Sequence, residues 1–328
     1  MRFENSFGIF PSGYRALCVA VCAVAFFTTP AQGRSRQAKK HVPRKTPAAT
    51  WSRYDCGQGT ELRVSAPAAR QGSLLQLEVR GTKPLSGVAG KWTDKEIPFW
   101  PSDTAAPKGT SVWRALLGVD LEQTAGESQL GVTEKAAAGE VLSCVASIDV
   151  KAGKFKTESL KVAPNFVKPD PEQLAKAEQD RTKLREIFAT MTREKLWSGR
   201  FRLPLDGVKT FANFGKRRVL NGEAGSPHTG VDLPSPTGTP VHAAQRGRVV
   251  LAEPLYFSGS TVVVDHGWGV YTLYGHFSET TVQVGDMVAA GAVIGKVGAT
   301  GRVTGPHLHW GLTVDRARVD AMAIVGKE

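Results

Sequence analysis

Apolar and polar residues alternate with a period of two over residues 51–165. In one such segment Leu75, Leu77 and Val79 alternate with the polar residues Gln76, Glu78 and Arg80. A later segment repeats the pattern with Leu142, Cys144, Ala146, Ile148 and Val150. Short alternating runs divided by Gly and Pro are typical of half-buried strands. The pattern predicts a β-sandwich of immunoglobulin-like type over residues 51–165. Residues 51–165 contain no cluster of catalytic residue types, which favours a positioning or binding module.

Between residues 169 and 198 the apolar spacing changes to three and four. The apolar positions are Leu174, Ala177, Leu184, Ile187, Phe188 and Met191. The preceding run Pro169-Asp170-Pro171-Glu172 combines proline with an acidic first turn, as at the start of a helix. We therefore predict one linking helix within residues 169–198 that runs to about Lys195. Its apolar stripe should pack against one of the two flanking domains.

Short apolar segments divided by glycine fill residues 199–320. They predict strands over Val208–Asn213, Val231–Leu233, Pro240–Ala252, Thr261–His266, Val270–His276, Val288–Val297 and Leu308–Val314. Every histidine of the chain except His41 lies in this region. The predicted fold class is therefore all-β. A C-terminal Gly-rich β-sheet or half-barrel domain follows the immunoglobulin-like sandwich and the linking helix.

The first 33 residues have the features of a secretory signal peptide. Arg2 and Arg15 precede an apolar run over residues 16–27, which is shorter than the ~20 residues needed to cross a bilayer. Small residues precede a cleavage point after Gly33. We expect a protein exported to the periplasm or to the cell wall and extracellular space, with no stable membrane insertion after cleavage. An uncleaved N-terminal anchor is the alternative.

The formal net charge of +12 is concentrated partly in residues 34–50. The basic residues there are Arg34, Arg36, Lys39, Lys40, Arg44 and Lys45. We predict a solvated, disordered leader, although such a run could also hold the chain near an anionic wall or membrane surface. The sequence contains no basic helix with interleaved aromatic residues, so a nucleic-acid partner is not expected.

Export gives Cys56 and Cys144 a structural meaning. In an oxidising compartment a disulfide between them can form and persist. Cys144 falls on the apolar positions of its alternating segment, which suits a bridge between two sheets. We expect the bridge, and two free buried thiols are the alternative.

Candidate chemistry is concentrated in two short segments. His307 and His309 are separated by one residue, so on a strand they project from the same face. Upstream, His228 and Asp232 form an H-x3-D pair. His228, Asp232 and His309 can supply three ligands to a zinc ion that keeps one position open for water. His307 lies on the same face as His309, and His276 ends a predicted strand, so both could handle a proton beside the metal.

The C-terminal region resembles the lysostaphin/LytM-type zinc endopeptidases, peptidoglycan hydrolases with a duplicated hybrid motif fold. The segments that carry the resemblance are Phe214-Gly215-Lys216-Arg217-Arg218, His228-Thr229-Gly230-Val231-Asp232-Leu233, Gly238-Thr239-Pro240-Val241, Leu273-Tyr274-Gly275-His276 and Gly305-Pro306-His307-Leu308-His309. They occur in the family's order over roughly residues 200–314.

The resemblance implies a zinc metallo-endopeptidase domain over residues 199–320. It implies that the positions of His228, Asp232 and His309 bind Zn²⁺ and that His276 and His307 assist catalysis. The expected substrate is a peptide bond of a peptidoglycan cross-link or bridge. A non-enzymatic regulator on the same fold, such as an amidase activator, is the alternative. Residues 216–227 could cover the metal in a latent form.

Overall fold

The computed structural model of the protein describes residues 51–66, 68–102, 107–136, 139, 141–208 and 213–327. The predicted signal peptide (1–33) and basic leader (34–50) lie outside the described residues. So does most of the strand predicted over Val208–Asn213. Within the described ranges, no helix is long and apolar enough to cross a membrane.

Two five-stranded sheets account for residues 52–151. Their strands are β1 (Ser52–Gly57), β2 (Thr60–Val64), β3 (Ala68–Arg70), β4 (Leu74–Gly81), β5 (Leu85–Trp92), β6 (Lys95–Pro98), β7 (Trp100–Pro101), β8 (Ser111–Gly118), β9 (Gly126–Ala136) and β10 (Val141–Lys151). One sheet has the order β1-β2-β4-β8-β7 and the other β3-β10-β9-β5-β6. The predicted β-rich fold of this region is confirmed, and its immunoglobulin-like type stays a prediction.

The alternating residues form the core of this region. Leu75, Leu77 and Val79 of β4 are buried, and so are Ala146, Ile148 and Val150 of β10. Cys56 of β1 and Cys144 of β10 form a disulfide that joins the two sheets. The predicted bridge is thus present in the structure.

A buried carboxylate lies beside this disulfide. Glu134 on β9 has no exposed surface, and its carboxylate is within 4.8 Å of the sulfur atoms of Cys56 and Cys144. Neither carboxylate oxygen has a hydrogen-bond partner among the described residues. Burial raises the pKa of Glu134 from 4.5 to about 7. The apolar-polar pattern did not predict this polar residue in the core.

We expect Glu134→Gln to stabilise the protein at pH 8 and to leave its stability nearly unchanged at pH 4. The pKa of this carboxyl is higher in the folded than in the unfolded protein, so the wild type loses stability as the pH rises from 4.5 towards 7. Gln resembles the protonated acid and does not titrate. The gain in unfolding free energy at pH 8 should be about 3 kcal/mol. Thermal unfolding at both pH values tests this, and an equal effect at both would contradict it.

The linking helix α1 (Pro171–Ala189) begins with a capping box. The Asp170 side chain accepts from the backbone N–H of Gln173, and the Gln173 side chain accepts from that of Asp170. The apolar stripe packs on the C-terminal sheet through Leu184, Ile187 and Phe188. Its docking on a flanking domain is therefore confirmed.

The helix ends at Ala189, so the predicted end near Lys195 was wrong. Beyond the helix the chain is held extended by contacts with the C-terminal sheet. The Tyr271 hydroxyl donates to the Thr190 carbonyl at 2.7 Å, and the Thr192 hydroxyl donates to Asp265 at 2.6 Å. These tertiary contacts outweigh the helical pattern of the sequence.

A nine-stranded sheet forms the C-terminal region. Its strands are β14 (Gly230–Pro234), β15 (Pro240–His242), β16 (Gly247–Leu255), β17 (Gly259–Asp265), β18 (Val270–Thr280), β19 (Met287–Val288), β20 (Val293–Val297), β21 (His307–Val314) and β22 (Ala317–Val319). Its main path is β14-β21-β18-β17-β16-β19. The predicted strands over residues 240–252 and 288–297 are each divided in two, because the chain turns inside them.

A three-stranded sheet absent from our predictions is formed by strands that precede and follow the linking helix in the chain. It contains β11 (Thr157–Leu160), β12 (Arg217–Leu220) and β13 (Glu223–Pro227), with β11 parallel to β12. The β12–β13 hairpin turns at Asn221 and Gly222, both with positive φ, which suits an Asn-Gly pair. The segment that we considered as a cover for the metal is thus a paired hairpin.

The N-terminal sheets and the C-terminal sheet share one hydrophobic core. Trp100 of β7 packs against Trp197 and Trp268, with ring centroids 5.2 and 6.1 Å apart. Arg318 of β22 donates to both oxygens of Asp120, at 2.7 and 3.1 Å. This mixture of apolar contacts and a bidentate ion pair joins the two regions directly.

Candidate metal centre

Strand pairing brings Asp232 and His309 together. Asp232 on β14 lies directly opposite His309 on β21 in the antiparallel register. Side chains opposite each other in such a pair project from the same face. Accordingly, His309 Nδ1 lies 2.9 Å from Asp232 Oδ1. His307 precedes His309 by two residues on the same strand and also approaches this carboxylate, its Nε2 lying 3.5 Å from Oδ1.

His228 reaches the same point from the loop that precedes β14. Its buried ring donates from Nδ1 to the carbonyl oxygen of Asn213 at 3.0 Å. That bond leaves Nε2 with a lone pair, 2.9 Å from Asp232 Oδ1 and 3.0 Å from His309 Nδ1. Asn213 also contacts β14, the strand that carries Asp232. Its side-chain oxygen accepts from the backbone N–H of Asp232 at 3.1 Å.

The nitrogen and oxygen atoms of these three residues are suited to bind a metal cation. With the His228 proton on Nδ1, His228 Nε2 and Asp232 Oδ1 are both acceptors 2.9 Å apart, an arrangement that suits a cation shared between them. Candidate ligand atoms of His228, Asp232 and His309 all lie within 4.8 Å of one another. Tetrahedral zinc with bonds of about 2.0–2.1 Å needs similar ligand spacing, and imidazole with carboxylate is a ligand set that zinc accepts.

His307 and His276 flank these three residues, and their ring centroids are 4.7 Å apart. Each ring is oriented by a backbone carbonyl: His307 Nδ1 donates to Gly305 at 2.8 Å and His276 Nδ1 to Thr300 at 2.7 Å. Both Nε2 atoms are therefore available as acceptors. The two rings could take up a proton beside a bound metal, or return it to an oxygen.

His276 is held in an unusual backbone conformation. Its φ is 66°, in the left-handed region that non-glycine residues seldom adopt. The β17–β18 register shifts by one residue at this position, between Val262 and Ser260. A bulge of this kind redirects a side chain out of the regular alternation. The predicted end of the strand at His276 was wrong, because β18 continues to Thr280; the bulge within it redirects the ring to the site.

Burial favours the neutral form of two rings of the centre, His276 and His309. Burial, together with the rings of His309 and His307, lowers the pKa of His276 to about 3. Burial also lowers the pKa of His309 to about 4. It acts to raise the pKa of Asp232, but the adjoining rings of His228 and His309 outweigh it and hold that pKa well below its usual range. Neutral imidazole and ionised carboxylate are the forms that bind metal.

The comparison with known proteins assigns this region to a family. Residues 226–321 match the family model described as Peptidase family M23. The chain carries a peptidase M23 domain. All five histidine and aspartate residues of the centre lie within the matched range.

Two curated relatives are named for peptidoglycan chemistry. The chain is similar to peptidoglycan DD-endopeptidase ShyA of Vibrio cholerae, 41% identical over 123 residues that cover 37% of this chain and 29% of that protein. It is also similar to DD-carboxypeptidase/endopeptidase Mpg of Neisseria meningitidis, 40% identical over 97 residues that cover 30% of this chain and 22% of that protein. The matched part therefore spans less than a third of either relative.

A solved structure resembles a larger part of the chain. It is a Pseudomonas aeruginosa protein assigned to peptidase M23, 28% identical, with a TM-score of 0.56. The likeness covers 75% of this chain and 90% of that protein. It extends beyond the M23 domain, so part of the N-terminal region belongs to the shared architecture.

Three other titratable residues of the M23 domain have structural partners away from the centre. His266 is fully buried between the Arg246 carbonyl and the Thr272 hydroxyl, at 2.9 and 2.8 Å. His242 Nδ1 donates to the Gly291 carbonyl at 2.9 Å. The buried Tyr274 hydroxyl accepts from the backbone N–H of Ala244. Tyr274 therefore packs in the core.

Sequence reasoning missed two arginines beside the centre. Arg218 on β12 donates from Nη2 to Asp232 Oδ2 at 2.9 Å, so Asp232 contacts the rings through one oxygen and Arg218 through the other. Arg218 and Arg302 both line a cleft that includes Asp232 and His307 and has a volume of about 240 Å³. Arg218 belongs to a segment that carried the family resemblance, which was the available sequence signal. Arg302 precedes His307 closely, but nothing in the pattern placed it beside Arg218.

Proposed function

We propose that this chain is an exported, zinc-dependent endopeptidase that hydrolyses peptide bonds in peptidoglycan cross-links or bridges. The observation that carries the proposal is the convergence of His228, Asp232 and His309 with two further histidines, His276 and His307, beside them. The M23 domain and its similarity to proteins named peptidoglycan DD-endopeptidases support the substrate class.

His228 Nε2, Asp232 Oδ1 and His309 Nδ1 would hold the zinc ion. When bound there, zinc lowers the pKa of a coordinated water and polarises the scissile carbonyl. Asn213 fixes the proton of His228 on Nδ1 and so keeps Nε2 available. Arg218 holds the second oxygen of Asp232, which leaves the first directed at the metal.

His307 and His276 would carry the proton transfers. With Nδ1 bonded to the Gly305 carbonyl, His307 Nε2 can take the proton of the attacking water, and the ring can then pass it to the leaving amine. His276, anchored through Nδ1 to the Thr300 carbonyl, can accept a hydrogen bond from the same water at Nε2 and so orient it towards the scissile carbonyl. Because both rings are already oriented by backbone carbonyls, little reorganisation is required during the reaction.

We propose that the N-terminal sheets position the M23 domain on its substrate. They contact the M23 domain through an apolar core and an ion pair, and our sequence reasoning found no catalytic cluster in them. Export, with residues 1–33 as signal peptide and 34–50 as leader, is part of the same proposal. The expected location is the periplasm or the cell wall.

A defined cross-linked peptide dimer tests the proposal. The zinc-loaded protein should convert the dimer to monomers whose summed mass exceeds that of the dimer by one water, as measured by mass spectrometry. A regulator without activity would bind peptidoglycan and leave the dimer intact. Intact dimers after prolonged incubation with zinc-loaded protein would therefore contradict the proposed activity and favour the regulator.

A further inference from the structure

A cleft beside the metal centre carries one positive charge, on Arg302, that the metal site does not use. Arg302 lines this cleft together with Arg218, Asp232, His307 and Glu158. Because Asp232 and His307 belong to both the centre and the cleft, a peptide bound at the centre would extend into the cleft. The groups lining the cleft should therefore contact substrate near the scissile bond.

Most charges of the cleft have partners. Arg218 is paired with Asp232 at 2.9 Å. Glu158 is paired with Lys216 at 2.5 Å. A zinc ion on Asp232 would make the centre more positive still. Within the described part of the chain, no carboxylate lies within salt-bridge distance of Arg302.

Arg302 is held ready for a planar ligand. Its guanidinium carbon lies 4.3 Å from the centroid of the Phe257 ring, and its backbone N–H donates to the Phe257 carbonyl at 2.8 Å. Stacking of this kind fixes the plane of the guanidinium and leaves its N–H edge free for hydrogen bonds. Burial and the nearby Arg218 lower the pKa of Arg302 to about 10, so the group remains charged at neutral pH.

We propose that Arg302, with Arg218 beside it, binds a free carboxylate of the peptide substrate in this cleft. The chemical class of the substrate is then an acidic peptide, preferred over the same peptide in amidated form. A guanidinium and a carboxylate form planar, charge-assisted hydrogen bonds that a carboxamide cannot match. This inference rests on the proposed function, because it names a substrate feature recognised at that same site.

The test uses cross-linked peptides in matched acid and amide forms. In one arm a side-chain carboxylate is converted to the carboxamide, and in the other arm the C-terminal carboxylate, so that the two sources are separated. In one of the two arms, the wild-type kcat/KM should be higher for the acid form than for the amide form by roughly tenfold to a hundredfold, the range for a charge-assisted hydrogen bond. A kcat/KM that is the same for the acid and amide forms in both arms would overturn the inference.

Substitution at Arg302 identifies the residue responsible. Arg302→Gln should lower kcat/KM for the acid peptide to that of the amide and leave the amide unchanged, while Arg302→Lys restores part of the preference. Arg217→Gln is the matched control, since it removes the same charge from an exposed position next to Arg218 on β12. A loss shared equally by acid and amide would show a structural role for Arg302 and would refute the assignment.

The proposed function can fail separately. If the wild type cleaves none of these peptides, the proposed hydrolysis is wrong, and calorimetric binding of the uncleaved peptides decides the carboxylate site by itself. Acid bound more tightly than amide, with the difference removed by Arg302→Gln, would then support the site. Equal binding of the two forms would overturn it.

Discussion

His309→Ala is expected to lose its zinc and to lose hydrolysis with it. The substitution removes Nδ1, one of the three atoms that converge between β14 and β21, and leaves a site with two ligands. Zinc supplies several kcal/mol of transition-state stabilisation in such enzymes, so turnover should fall by roughly a thousandfold or more. The measurements are zinc per chain by elemental analysis after dialysis, and cleavage of the cross-linked dimer.

The control for this substitution is His242→Ala. His242 is part of the same sheet, but its ring bonds the Gly291 carbonyl and is not among the residues of the centre. This variant should keep one zinc per chain and nearly full activity. Stoichiometric zinc and unchanged turnover in His309→Ala would contradict the metal assignment.

His307→Ala is expected to lose hydrolysis and to keep its zinc. His307 Nε2 lies 3.5 Å from Asp232 Oδ1, and the candidate ligand atoms belong to His228, Asp232 and His309. Removing a positioned proton acceptor typically lowers the rate by about 10²–10⁴-fold. Elemental analysis and dimer cleavage on one preparation measure both properties, and loss of zinc together with activity would contradict the separate role of this ring.

His307 is a better position for this test than His276. At His276 the backbone has a positive φ, so Ala would add conformational strain to any loss of the ring. His276→Asn tolerates that backbone better and should also retain zinc. The two histidines of the H-x-H segment are thus distinguished experimentally by metal content rather than by activity.

The fold was predictable where burial follows a simple period. Leu75, Leu77 and Val79 lie on the buried face of β4 as the alternation indicates. The H-x-H spacing likewise placed His307 and His309 on one face of β21. The predicted end of the helix was wrong because tertiary contacts determine it. The helix stops at Ala189, since Tyr271 and Asp265 hold the following residues extended.

The candidate site was predictable in its residues and not in their arrangement. The motifs named Asp232 and His309, but only the β14–β21 register sets them opposite each other. Asn213 acts on His228 through its backbone carbonyl, which no side-chain motif can indicate. Arg218 reaches Asp232 because β12 pairs with the distant β11, and such long-range pairing has no local signature.

The central claim is that this chain hydrolyses peptide bonds of peptidoglycan with a metal held by His228, Asp232 and His309. The most direct measurement is the mass spectrum of material released from purified sacculi by the protein as isolated, after chelation, and after zinc is restored. The account predicts release of peptides with newly freed amino and carboxyl ends, abolished by the chelator and recovered with zinc. Release unaffected by complete removal of metal, or no release by zinc-loaded protein, would contradict it.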